Sequence, residues 1–421
     1  MFDNGSCRTE RIERSSGCFE LIRILARIGV IVLFVLTGSP SCFYGHPAVG
    51  VLPNEAASGS DDFQLVSLLG LLSTGADAGN SSTTTVLKFL YTGNGGGGGT
   101  INMFTVDDGT GLLTATSPSD IAAGSNPWYL TAHPNGNFLY AIDRSGTDIY
   151  MYSVDAVSGL LSPLSPATIA TSASDSLNII VHPNGLYAYA GFIGGDGIDM
   201  FLVDAATGQL TANTPANLAG CTGNNESVIH PNQNFFYALC NNEIRRHSIN
   251  ADGTLTHLGN TTVGGQANGL TITRDGAYMF ATSQSNDMIY SYSVNPTTGA
   301  LSANGSAATS TWANEVVVDP TGSYAFVNCW NAGAQVVRQY NISGTGVLSD
   351  NTPNSITTGG TSPLHMVIDP LGRYVYVSHT GSNNINMYSL DSGTGLLSSN
   401  GLMSAPNSPR GMALVTQEVS N

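Results

Sequence analysis

The chain has 421 residues, of which 13 are basic and 29 acidic, so charged side chains make up 10% of it and the formal net charge is −16, where an average soluble domain is roughly 25% charged. Its 41% hydrophobic content is that of a globular protein, while 50 glycines and one lysine exclude a coiled coil or helical bundle and the shortage of cations excludes a nucleic-acid surface. A length above 400 exceeds what one layered core usually holds, which leaves several domains or a closed array of equal units.

Arg8, Arg11, Arg14, Arg23 and Arg27 precede a short apolar run, Ile28 to Leu36, followed by small residues. Residues 1–42 therefore read as an export signal, the run being too short to span a bilayer. Cys42, after Ser39-Pro40-Ser41, stands where an exported lipoprotein has its lipidated cysteine, although Ser39 fills a place that is usually aliphatic; the alternative is cleavage a few residues further on. This reading puts the protein in the cell envelope, periplasmic or outer-surface, with membrane contact only through an N-terminal anchor if Cys42 is modified. Residues 43–86 mix Gly, Ala, Ser and Asp as a flexible tether does.

From residue 87 the chain repeats. An aromatic strand recurs seven times: Phe89-Leu90-Tyr91, Phe138-Leu139-Tyr140, Leu186 to Tyr189, Phe235-Phe236-Tyr237, Tyr278-Met279-Phe280, Tyr324-Ala325-Phe326 and Tyr374-Val375-Tyr376. A Gly turn leading to Leu also recurs seven times, from Gly111 to Gly395, at a period of about 47 residues. A short apolar strand precedes every aromatic strand but the first, and the missing copy is Pro409 to Val415 at the other end of the chain. A repeat split between the termini is how a ring closes. The expected fold is all-β, a seven-bladed β-propeller with four-stranded blades over 87–416, closed by the C-terminal strand pairing into the first blade, with 417–421 as a tail.

Turns such as His133-Pro134-Asn135-Gly136 carry Pro and Gly where a type I turn wants them, and His133, His182 and His230 in this setting are turn-capping residues and not a metal cluster. Cys221 and Cys240 flank a predicted hairpin and could be disulfide-bonded in an oxidising compartment, leaving Cys329 free; three buried thiols are the alternative. No serine elbow, phosphate-binding glycine loop or metal-ligand spacing is present, so no cofactor and no metal are expected.

The Pro-Asn-Gly turn followed by an aromatic strand, endings such as Tyr152-Ser153-Val154-Asp155 before Ser158-Gly159-Leu160-Leu161, and the local stretches Gly220-Cys221, Trp312-Ala313, Leu364-His365-Met366-Val367 and Pro409-Arg410-Gly411 resemble the seven-bladed propellers of the 6-phosphogluconolactonase and carboxymuconate-cyclase type. The resemblance covers about 87–416. It implies lactonase or lactone-forming chemistry worked by a His, an Arg, a Glu sixteen residues later and a second Arg. Matched in chain order, these fall on Asn225, Asn268, Gln284 and Leu364, all neutral. A register shifted by one blade recovers only Arg410. From residue 87 onward eight basic groups face 21 acidic ones, which argues against a phosphorylated substrate.

If the short strand lines the central channel, its first residues from seven blades converge. One set is Trp128, Leu177, Asn225, Asn268, Asn314, Leu364 and Arg410; the other is Tyr129, Asn178, Glu226, Gly269, Glu315, His365 and Gly411. Strand alternation lets only one set face the channel. Trp128, Tyr129, Asn178, Asn225, Asn268, Gln284 and Asn314 are the expected mouth residues, fitted to a small neutral polar ligand, and Glu226, Glu315, His365 and Arg410 are the catalytic candidates. The leading expectation is an exported monomer that binds a ligand or protein partner without catalysis. The alternatives are a lactonase, of a neutral sugar lactone more than a phosphorylated one, and a structural or adhesive surface protein.

Overall fold

The computed structural model describes residues 83–420 except 97, 194 and 331–334; the export signal, Cys42 and the tether up to residue 82 lie outside the described residues. The described chain forms 28 strands in seven four-stranded antiparallel sheets, with no helix among the described residues. In blade two, the inner strand Pro127–Ala132 pairs with the aromatic strand Phe138–Asp143, followed by Asp148–Val154 and the outermost Leu161–Ala170. Burial falls outward. Every residue of Phe138–Asp143 is buried, whereas in Leu161–Ala170 only Leu161 is, so the outer strands carry the Ser, Thr, Asn and Ala that keep the surface polar with little charge.

Blade one is built from both ends of the chain. Its inner strand is Pro409–Ser420, paired antiparallel with Thr83–Asn94 so that Tyr91 faces Ala413 and Thr83 faces Ser420. The pairing runs past the limits expected from the repeat: residues 83–86, read as tether, and 417–420, read as tail, are strand. Backbone N–H and C=O groups must be paired, and each of these two segments supplies the other's partners. The inner strands touch one another in ring order, with Pro409–Ser420 between those of blades seven and two, and seven apolar clusters fill the seven spaces between blades.

The two commonest sequence repeats are halves of one contact between blades. The Tyr hydroxyl of an aromatic strand donates to the carbonyl of the Gly turn in the next blade: Tyr91 to Gly159 at 2.8 Å, Tyr140 to Gly208 at 2.8 Å, Tyr189 to Gly253 at 2.9 Å, Tyr237 to Gly299 at 2.8 Å and, across the closure, Tyr376 to Gly111 at 2.9 Å. Blade five has Phe280 instead, and the Ser291 hydroxyl reaches Gly346 O at 2.5 Å. Gly208 is obligatory twice over: its φ is +72°, a region that favours glycine, and a Cβ there would stand 2.3 Å from the Phe138 ring. Tyr140→Phe leaves the buried Gly208 carbonyl unpaired and should cost about 1–3 kcal/mol, read as a lower denaturant midpoint at unchanged slope; an unmoved midpoint would show that water replaces the hydroxyl.

The three turn histidines do a similar task. Nδ1 of His133, His182 and His230 accepts the N–H of Asn135, Asn184 and Asn232, and Nε2 faces the carbonyl of the following blade's turn at 2.9, 3.2 and 3.1 Å. Cys221, near the end of blade three's outermost strand, is disulfide-bonded to Cys240, the last residue of blade four's aromatic strand, with Cα atoms 5.4 Å apart. Cys329 is a free buried thiol.

Candidate functional site

Each inner strand begins at one face of the ring with a register break against its aromatic neighbour. The breaks fall between Pro127 and Tyr129, Ser176 and Asn178, Asn224 and Glu226, Ala267 and Leu270, Ala313 and Val316, and Pro363 and Met366, with the seventh opposite Thr92 and Asn94. A bulge suspends strict alternation and re-aims side chains. Both candidate sets therefore face the channel, which corrects the expectation that only one could. The first set forms the rim and the second a layer beneath it.

Rim and layer enclose a cavity of about 250 Å³. Trp128, Asn225, Asn268, Asn314, Leu364 and Gln284 line it, and Tyr129, Glu226, Glu315 and His365 lie at its floor, where they also form the roof of the central channel. The four positions matched to the family's His, Arg, Glu and Arg, namely Asn225, Asn268, Gln284 and Leu364, thus do converge. Close approach of the strands sets the layer. A Cβ on Gly269 would fall 2.5 Å from Asn314 O, and one on Gly411 would fall 2.5 Å from Trp128 O and 2.7 Å from Tyr129 Cα.

Two expected residues stand elsewhere. Asn178 is buried beside the cavity, its Nδ2 donating to Asn224 O and Oδ1 at 3.1 and 3.2 Å; the neighbouring blade's Asn224 captures it because Gly191 leaves room, a Cβ there meeting Asn224 Nδ2 at 2.1 Å. Arg410 does not join the acid–base group. Its guanidinium lies 4.3 Å over the Trp128 ring while that of Arg144 lies 4.1 Å over the same ring. Arg144 is also paired with Asp175 at 2.7 Å, and Arg410, short of solvent and beside Arg144, is held below the usual guanidinium range. The rim asparagines bridge blades: Asn225 Nδ2 donates to Ala267 O at 2.9 Å, Asn268 to Asn314 Oδ1, and Asn314 to Leu364 O.

The floor contains four titratable side chains in two differing settings. Tyr129 Oη donates to Glu226 Oε1 at 3.0 Å, and the Tyr129 ring meets His365 edge-on at 5.1 Å. Burial raises Glu226 to about 8, against the lowering effect of its bonds from Tyr129 and the Ser227 backbone. Glu315 is raised well above the usual carboxylate range, by burial first and by the Glu226 charge second, so the two carboxyl groups titrate as an interacting pair. Two interacting carboxyl groups held protonated by burial can divide acid and base roles between them. His365 Nδ1 accepts the Met412 N–H at 3.2 Å, which leaves the hydrogen on Nε2, 3.7 Å from Glu315 Oε2. Burial lowers this ring to about 4, so it is neutral at pH 7, and its Nε2–H, with no partner within hydrogen-bond distance among the described residues, is available to donate. Among the described residues no group of three or more His, Cys, Asp or Glu side chains could hold a metal ion.

Sequence reasoning missed Arg144, Ile193, Gln266 and Trp330, which also line the cavity. Arg144, Ile193 and Trp330 share a repeat position with Gln284: each directly follows its aromatic strand, and Gln284's register carried that signal. The three tryptophans of the chain gather here, Trp312 packing edge-on against Trp330 at 5.4 Å.

Residues 83–191, 228–310 and 303–412 match the family described as lactonase, 7-bladed beta-propeller. A 6-phosphogluconolactonase of Pectobacterium carotovorum is 27% identical over 180 residues, 40% of this chain and 52% of that protein, so the chain spans about half the length of the curated relatives it matches. Of solved structures, a 6-phosphogluconolactonase candidate from Bacteroides uniformis is 18% identical with a TM-score of 0.67, over 78% of this chain and 99% of that one. The periplasmic gluconolactonase of Pseudomonas aeruginosa is 17% identical with a TM-score of 0.65, over 78% and 99%; at such identities these two likenesses concern the fold. The family match and the names of the relatives overturn the expectation of a binding module without catalysis. That expectation rested on the N-terminal export pattern, the neutral surface and the four neutral family positions.

Proposed function

Because the chain belongs to the family of seven-bladed β-propeller lactonases, we propose that its mouth cavity hydrolyses the ring ester of a neutral sugar lactone. The observation that carries this reading is the pair of buried carboxyl groups at the cavity floor, Glu226 and Glu315, both raised by burial, beside a histidine whose Nε2 bears the hydrogen. Ionised Glu226 takes a proton from water as the water oxygen bonds to the lactone carbonyl carbon. His365 Nε2–H donates to the oxyanion. The carbonyl carbon then releases the ring oxygen, which takes the proton of Glu315, and exchange with solvent returns the proton of Glu226 to Glu315. The product is a hydroxy acid that ionises in water.

A neutral substrate is the reading the rim favours, its two guanidinium groups, Arg144 and Arg410, both lying over Trp128. The matched cation positions hold Asn268 and Leu364, Arg144 is committed to Asp175, and an ionised Glu226 would repel a phosphate. A cell-envelope location is the reading supported by the N-terminal sequence and by the disulfide between blades, since disulfides persist in oxidising compartments.

Acid release from glucono-1,5-lactone above the buffer rate tests the reading. Glu315→Gln keeps the shape but removes the transferable proton, and kcat should fall about a hundredfold or more while thermal unfolding stays where it was or rises. A panel of neutral aldonolactones with no rate above buffer overturns the proposal.

A further inference from the structure

The mouth cavity, at about 250 Å³, is smaller than the roughly 300–1,000 Å³ of most small-molecule sites. It is not closed on all sides. Ile193, Asn225 and Gln266 line both the cavity and a second recess of about 440 Å³, so the two adjoin at the wall next to Glu226. Gly223, Asn241, Asn242 and Gly265 complete that recess. It runs outward over blades three and four, and no charged side chain lines it.

We propose that this recess holds a second, neutral sugar unit, making the substrate a lactone whose ring carries a glycosyl substituent. The inference rests on the lactonase reading above. Its chemistry is that of the lining: each amide offers both donors and an acceptor, the match for hydroxyl groups of a sugar, whereas an anionic substituent finds no cation and an alkyl chain finds only Ile193 as an apolar surface. Gly223 and Gly265, at φ +68° and +78°, put bare backbone at the recess wall. Asn242 and Gln266 are exposed, so their amides are open to a ligand. Asn241 holds its turn at φ +56° with Nδ2 donating to Thr222 Oγ1 at 3.2 Å, which fixes the wall on that side. The substituent leaves the lactone ring beside Asn225, directly above the acid–base layer.

The test compares kcat/KM for glucono-1,5-lactone, for its 4-O-glucosylated analogue derived from cellobiose, and for a lactone bearing an acyl chain, using the whole chain and its Asn242→Trp variant. The expected result is a preference of about tenfold or more for the glycosylated lactone, the yield of a hydrogen-bonded subsite, and a fall of that ratio toward one in Asn242→Trp, where the indole fills the recess. Equal values for the two sugar lactones, a ratio unchanged in Asn242→Trp, or faster turnover of the acyl lactone overturns the inference while leaving lactone hydrolysis standing. If none of the three is hydrolysed, the underlying reading fails as well, which is a separate and recognisable outcome.

Discussion

Glu226→Gln lowers kcat for lactone hydrolysis by about 10²–10⁴ and removes the ionisation that controls the pH profile. In the unsubstituted protein the base must be ionised, and burial holds it near 8, so the rate above buffer rises with pH through that value and then levels. Tyr129→Phe takes away a bond that favours the ionised form, and the rising limb moves to higher pH with a smaller loss of plateau rate. A profile left in place by Tyr129→Phe would show that another group is the base. Stability supplies a check independent of turnover. The folded-state value of Glu226 lies above its ordinary 4.5, so the native protein binds the extra proton between about 4.5 and 8. Its contribution to stability is thus present below that window and lost as pH rises through it. Glu226→Gln lacks this loss, and its melting temperature relative to the parent should be higher at pH 9 than at pH 5.

A chain ending at Ser408 should not fold. It lacks the inner strand of blade one, which buries Met412 and Val415 and covers Leu90 and Tyr91 of the paired strand. At about 1.5–3 kcal/mol for each fully buried apolar side chain, four such groups amount to most of the 5–15 kcal/mol that keeps a domain folded. The loss also frees the edge of Thr83–Asn94, and an open edge recruits other chains. The expected observation is aggregation and no cooperative melt. The same chain with Pro409–Ser420 supplied as a separate peptide should regain a melt whose midpoint depends on peptide concentration; a cooperative melt without the peptide would show that the ring does not need its closure.

The architecture was legible because repeated residues serve the same contact in most blades, the Tyr-to-Gly-turn bond in five of the seven. Tyr140 and Gly208 recur in kind since a polar side chain meets the turn of the next blade where two blades pack, and the strand split between the termini leaves its mark at both ends. The mouth was legible to the extent that its position in the repeat was: Asn225, Asn268, Asn314, Glu226, Glu315 and His365 lie where the register put them. Asn178 shares that register and still turns away, because Asn224 and Gly191 of neighbouring strands decide its partner. Arg410 was placed correctly along its strand, but Trp128 claims its guanidinium.

The sequence by itself determined the seven blades, their closure and the repeat position from which most mouth residues come, since these follow from short-range pattern repeated at a constant period. Only the tertiary structure decided that seven bulges bring residues of two alternating sets to one cavity, that burial raises both Glu226 and Glu315, and that the His365 hydrogen sits on Nε2. The physical reason is that a carboxyl group's affinity and an imidazole's tautomer depend on burial and on partners such as Met412 and Tyr129, which lie 47 and 97 residues away in sequence and within hydrogen-bond distance in space.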